Sequence, residues 1–154
     1  MSDHNVFISH RHEDDALIQK LKDLLSSRGC DVRDSSVNAA TPNNANAEGY
    51  IKEILAYRIR WAGKILVIVS PATRKSEWVD WEIEYAKRFP EKRIIGVWAP
   101  DADGCEIPDP LKMYADAMVD WDGDAIVDAI NGTDNWRDPD GTPRELQTIR
   151  RIGC

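Results

Sequence analysis

Residues 64–70 read KILVIVS, and this stretch decides the fold. Ile65 to Val69 are five consecutive branched apolar residues with no polar alternation. A strand that lacks a polar face must be covered on both sides, as in the middle of a parallel sheet. Working outward, Val6-Phe7-Ile8 is a shorter run of the same kind, and Arg93 to Trp98 (RIIGVW) is another. Asp31-Val32-Arg33 and Ala117-Met118-Val119 are weaker strand signals. Helical spacing fills the intervals. Leu17, Ile18, Leu21, Leu24 and Leu25 recur from about Glu13 to Arg28, with Gly29 suited to the C-terminal cap. Ile51, Ile54, Leu55 and Tyr57 to Ile59 predict a second helix. Trp78 to Phe89 predicts a third, capped by Ser76 and stopped by Pro90, and Asp124 to Ile130 a last one. Residues 35–47, 71–75 and 100–110 read as loops. Strands alternating with helices in this way predict an α/β fold: a doubly wound, five-stranded parallel sheet with helices on both faces. Residues 1–132 make up the expected domain. Residues 133–154 form a C-terminal tail, expected to dock on the domain or on a neighbouring subunit.

The chain has 154 residues, enough for one domain with a sizeable core. Its formal charge is −7, which argues against a nucleic-acid binder that works by neutralising phosphates. The charge is unevenly spread. Between Asp101 and Gly141 there are 12 acidic residues and two basic ones, Lys112 and Arg137, so that region carries −10 and the remainder +3. Cys30, Cys105 and Cys154 are odd in number and lack metal or redox spacing, as expected of reduced thiols. With no leader-like N-terminus and no apolar run near the ~18 residues that span a bilayer, a cytoplasmic protein without membrane association is expected.

In a doubly wound sheet, ligands bind at the carboxyl ends of the strands, near the point where the strand order reverses. This draws attention to Ser9-His10-Arg11, Asp34, Ser70-Pro71 and the residues after Trp98. Neither a GxGxxG nor a P-loop is present, and Ser70 stands where a phospho-receiver domain would need an aspartate. His10 and His12, with Glu13 and Asp14, lack a second ligand cluster, so no metal site is expected. What remains is Trp78 and Glu82, four apart and therefore on one helix face, close to the expected crevice. A carboxylate beside an indole can hold ribose hydroxyls while the ring contacts a base. On spacing alone the plainer alternative is preferred: Trp78 as a core aromatic and Glu82 as a partner of the helix dipole.

Two blocks change that balance. VFISHRHEDDALIQKLKDLLSSRG (residues 6–29) and ILVIVSPATRKSEWVDWEIEYA (residues 65–86) resemble the first strand and helix, and the third strand and WxxxE-bearing helix, of bacterial Toll/interleukin-1 receptor (TIR) domains. The resemblance spans about residues 4–131, with residues 35–47 in the place of the BB loop. It implies the flavodoxin-like TIR sheet and cleavage of NAD+ at the nicotinamide–ribose bond. NAD+ is then a substrate, with no cofactor required. Carried over by position, Glu82 becomes the catalytic carboxylate, with Trp78 its WxxxE partner and Trp81 lining the site. Ser9, His10, Arg11 and Asp34 become substrate-binding residues.

One carboxylate suffices for that chemistry. A glycosidase needs a second acid because it expels a poor alkoxide, whereas nicotinamide leaves as a neutral molecule from a cationic pyridinium. What remains is to stabilise an oxocarbenium-like ribose by charge and hydrogen bonding. Single-domain bacterial TIR proteins of this size resemble the signal-producing component of Thoeris anti-phage systems. The resemblance thus implies an ADP-ribose-derived, cyclic messenger made in response to a phage-derived trigger and passed to a separate effector protein. Self-association through TIR–TIR contacts is also implied. The rival readings are a TIR toxin that depletes NAD+ and a non-catalytic interaction module. The +3 region that carries the expected crevice suits a pyrophosphate.

Overall fold

The computed structural model describes residues 2–9, 15–34, 56–70, 77–89, 91–100, 107–139 and 141–143. The expected loops at 35–47 and 71–75, the Ser76 cap and the tail from Arg144 to Cys154 lie outside these residues. In chain order the elements are β1 (Ser2–Ser9), α1 (Asp15–Ser26), β2 (Cys30–Asp34), β3 (Lys64–Val69), α2 (Glu77–Ala86), β4 (Arg93–Trp98), α3 (Asp109–Tyr114), β5 (Ala117–Val119) and α4 (Gly123–Ile130). Residues 56–61, just before β3, are also helical. The result is an α/β fold: a parallel sheet flanked by helices, with strand order β2-β1-β3-β4-β5.

Each strand follows from its sequence. Ile65 to Val69 are fully buried, as their unbroken apolar run demands. β3 lies between β1 and β4 and pairs in parallel with both. β1 begins at Ser2, four residues before the apolar run that announced it. Its polar half, Ser2 to Asn5, pairs with Cys30 to Arg33 of β2, while Val6 to Ser9 pair with Lys64 to Val67 of β3. Hydrophobicity marks only the half of the strand that enters the middle of the sheet. The other half is held by the backbone ladder, which leaves no side-chain signature.

The helices sort into two pairs that match opposite crossover directions from the centre of the sheet. α1 packs on β2 and α4, whereas α2 packs on β3 and α3. α1 ends at Ser26, and Gly29 turns the chain with φ of +74°, as its position predicts. α2 stops at Ala86 rather than Phe89. Beyond it the backbone tightens, with the Arg88 amide donating to the Tyr85 carbonyl and the Phe89 amide to Ala86. The segment 56–61 buries Ile59 but leaves Tyr57 63% exposed, so Tyr57 is not part of the apolar stripe.

α3 starts at the end of the region read as a loop from Pro100 to Pro110, with Asp109 and Pro110 inside that region and Leu111 to Tyr114 beyond it. Its prolines misled that reading, since Pro110 occupies the first turn, where a missing N–H costs nothing. The helix is short, but Leu111 anchors it in the core. Gly96 of β4 permits the close approach: a Cβ there would run into Met118 Sδ and sit 3.0 Å from Leu111 Cδ2. α4 begins one residue early, at Gly123, with the Asp122 side chain accepting from the Asp124 amide at 3.4 Å.

Residues 135–137 lie along β5. The Met118 amide donates to the Asn135 carbonyl and the Arg137 amide to the Met118 carbonyl, each at 2.7 Å. The Trp98 indole N–H donates to the Arg137 carbonyl at 2.8 Å, and Trp136 is buried. The acidic sector is partly neutralised within the chain. Arg28 meets Asp124 at 2.9 Å, Arg93 meets Asp134 at 2.6 Å, and Arg137 meets Asp120 at 3.5 Å. Two of those cations come from outside the acidic stretch, so the two charged sectors interlock rather than simply oppose one another. Among the described residues no helix is long and apolar enough to cross a membrane.

Candidate active site

The strand order reverses direction between β1 and β3. From β1 the chain moves outward to β2; from β3 it moves the other way, to β4 and β5. A doubly wound sheet opens its crevice at this point, beyond the carboxyl ends of the strands. The register gives the crevice its shape. Ser9, the last residue of β1, is level with Val67, whereas β3 and β4 run on together to Val69 and Trp98. Ser70, which follows β3, is 2% exposed.

Glu82 reaches into this step from α2. The helix places it on the face that also buries Val79, Ile83 and Ala86, so its carboxyl is carried inward with the apolar stripe. Its partner lies 73 residues away in the chain: the Ser9 hydroxyl donates to Glu82 Oε1 at 2.6 Å. The pair is buried, Ser9 at 1% exposure and Glu82 at 7%. Burial disfavours the charged form and pushes the Glu82 pKa up to about 8, partly opposed by the Ser9 hydrogen bond. A carboxyl poised near neutrality in a cleft is what acid–base or electrostatic catalysis needs.

The other expected site residues are distributed around this pair. Trp81 is next to Glu82 on α2 and half-buried, and its ring stacks on Tyr85 at 5.4 Å between centroids and 13° between planes. Trp78 stands one turn before Glu82 on the same helix; its side chain lies outside the described residues. Asp34 ends β2 level with Val6, three residues short of Ser9 along β1, and its side chain is also outside the description. His10 and Arg11 lie outside it altogether. Of the residues singled out from sequence, Ser9 and Glu82 have side chains that are brought into hydrogen-bonding contact.

The sequence reading named Ser9 and Glu82 separately and missed the bond between them, because nothing in linear spacing joins positions 73 apart. The Trp81–Tyr85 stack was legible as an i,i+4 aromatic pair but was overlooked. Two cations also escaped notice, the buried Lys92 and the partly buried Arg93. Lys92 Nζ donates to the Arg60 and Ala62 carbonyls at 2.9 and 2.6 Å. Arg93 donates to the Ala129 and Thr133 carbonyls, both at 2.6 Å. The Arg60 and Ala129 carbonyls lie in the last turns of helices and those of Ala62 and Thr133 just beyond, so both cations close helix ends at the opposite end of the sheet and belong to the scaffold. Among the described residues no cluster of three or more His, Cys, Asp or Glu side chains would hold a metal ion.

The model of the Thoeris protein ThsB, TIR-like domain, matches residues 7–103. That span takes in β1, β3, α2 and both members of the Ser9–Glu82 pair. No curated protein matches the chain. Among solved structures, the chain is similar to the first ketoreductase of the tylosin PKS, at 13% identity and a TM-score of 0.50. That match covers 91% of this chain and 37% of the other, and the likeness is one of α/β fold. It is also similar to a Clostridium botulinum CMP N-glycosidase, BcmB, at 19% identity and a TM-score of 0.42, covering 66% of this chain and 74% of that one.

Proposed function

The chain belongs to the Thoeris ThsB TIR-like domain family, and from that premise we propose that it cleaves the nicotinamide–ribose bond of NAD+ and converts the ADP-ribosyl part to a cyclic signalling nucleotide in anti-phage defence. The observation that supports this reading is the buried Glu82 carboxyl, held by Ser9 at the topological switch point. A module built only for protein contacts has no use for a carboxyl that burial drives toward neutrality.

Departure of neutral nicotinamide leaves a ribosyl cation. The ionised Glu82 carboxylate stabilises it by charge and by accepting from ribose hydroxyls, in a low-dielectric site where both effects are strong. In the free protein at neutral pH the carboxyl is largely protonated, because its pKa stands near 8. The positive pyridinium of the substrate favours ionisation, so binding releases a proton. Trp78 and Trp81 on α2, together with His10, Arg11 and Asp34 beyond the strand ends, are assigned to holding the dinucleotide. The acceptor sets the product: water gives ADP-ribose, and an atom of the substrate itself gives a cyclic isomer. A phage-derived trigger, TIR–TIR self-association and a messenger-activated effector complete the proposed pathway.

The test is incubation of the purified full chain with NAD+, with and without lysate of infected cells, with products resolved by chromatography and mass spectrometry. Nicotinamide with a cyclic ADP-ribose isomer is expected. Plain ADP-ribose alone would replace the signalling reading with a depleting one. Absence of turnover at high protein concentration in both conditions, with wild type and Glu82→Gln indistinguishable in cells, would overturn the enzymatic reading.

A further inference from the structure

Ser9 enters the reading above by its position at the end of the first strand, as one of several residues bordering the nucleotide. Its geometry assigns it a different task. Ser9 is 1% exposed and its hydroxyl is already committed, donating to Glu82 Oε1 at 2.6 Å. A hydroxyl has one proton to give, and here the carboxyl takes it. We propose that Ser9 is a positioning residue: from the rigid end of β1 its hydroxyl clamps one oxygen of Glu82, fixing the carboxyl for bond cleavage without touching the dinucleotide itself. This rests on the proposed activity for its consequence, but not for its geometry.

The arrangement explains why the clamp is needed. Glu82 hangs from α2 by a flexible side chain with three rotatable bonds, and α2 belongs to the β3 side of the switch point. Ser9 belongs to the β1 side. Its hydrogen bond therefore ties the carboxyl across the crevice to the strand on the other bank, where Val6 to Ser9 are paired into the sheet and buried. Locking the carboxyl in one orientation removes a rotational search that the reaction would otherwise have to make. The same bond favours the ionised form, against the burial that disfavours it. Among the described residues around the carboxyl, Ser9 is the one that acts in this direction. Neither Asp80 nor Glu84 on α2, Lys87 beyond it nor Lys64 on β3 contributes a charge effect on Glu82.

The experiment compares the full chain as wild type, Ser9→Ala and Ser9→Thr. It follows the Glu82 carboxyl by carbon NMR of glutamate-labelled protein, assigned by difference against Glu82→Gln. In Ser9→Ala the titration midpoint is expected to rise by about one pH unit, and Ser9→Thr, which retains the hydroxyl, is expected to restore it. With NAD+ as the probe, Ser9→Ala is expected to lower kcat at pH 7 by roughly tenfold while KM stays within about threefold. An unchanged midpoint in Ser9→Ala, or a loss confined to KM, would overturn the assignment and return Ser9 to the substrate-contacting set. A shifted midpoint in a protein that never cleaves NAD+ would uphold the clamp and overturn the proposed reaction, so the two failures are distinguishable.

Discussion

The two ends of the sheet bury charge-bearing groups in opposite ways. At the amino end, Lys92 and Arg93 are surrounded by acceptors: two carbonyls for Lys92, and two carbonyls with the Asp134 carboxylate for Arg93. At the carboxyl end, Glu82 has, among the described residues, the single Ser9 hydroxyl. Burial moves both sorts of group away from the charged state, lowering the Lys92 pKa and raising that of Glu82. The amino end compensates with the dipoles of helix C-termini, which favour positive charge. The carboxyl end leaves most of its desolvation unrelieved. A buried ionisable group with several partners serves stability; one whose desolvation is largely unrelieved is kept reactive at the expense of stability.

The largest effect that could break this contrast is Glu82→Gln. It is expected to reduce NAD+ cleavage by about 10²–10³-fold, as removal of a key electrostatic group does, measured by nicotinamide release at saturating substrate. Retained activity would show that Glu82 belongs with the structural charges after all.

Stability should move the other way. A carboxyl whose folded pKa is raised contributes stability that is complete below its unfolded pKa of 4.5 and is lost as pH rises through the folded value of about 8. Wild type should therefore lose on the order of 3–5 kcal/mol between pH 5 and pH 9 from this group alone. Glu82→Gln lacks this dependence, so urea denaturation at the two pH values should show the variant overtaking wild type on the alkaline side. For activity the sign is reversed. If the carboxylate is the working form, kcat/KM rises with pH through about 8 and then levels.

Lys92→Met sharpens the same comparison from the other end. Removing the ammonium leaves the Arg60 and Ala62 carbonyls without this donor, and a loss of about 2–3 kcal/mol is expected in denaturant titration. Gly96→Ala is expected to cost about 1–3 kcal/mol by forcing Met118 and Leu111 apart, which places α3 rather than the crevice under strain. The smallest effect is expected for Trp136→Phe. Among the described residues the buried Trp136 indole N–H has no hydrogen-bond partner, so losing it should change stability by less than about 1 kcal/mol despite the size of the side chain. A larger loss would mean that packing of the ring against the sheet dominates.

Legibility followed the kind of interaction. The apolar run at Ile65–Val69, the Leu17–Leu25 periodicity and Gly29 announced their elements because burial and backbone conformation are written locally. α3 went unread because six residues with a proline in the first turn carry too little periodicity to stand out beside the loop signal that precedes them. The first four residues of β1 were missed because a backbone ladder places no demand on side chains. At the site, the WxxxE block picked out Glu82 and the strand end picked out Ser9, yet their partnership had no signature at all.

By itself the sequence determined the α/β class, the family to which the chain belongs and the helix that carries Glu82, since each depends on residue types at short, regular spacing. Only the tertiary structure decided that Glu82 is buried, that Ser9 is its donor and that its charged form is disfavoured. Those properties arise where strands distant in the chain become neighbours and exclude water, and desolvation has no linear pattern.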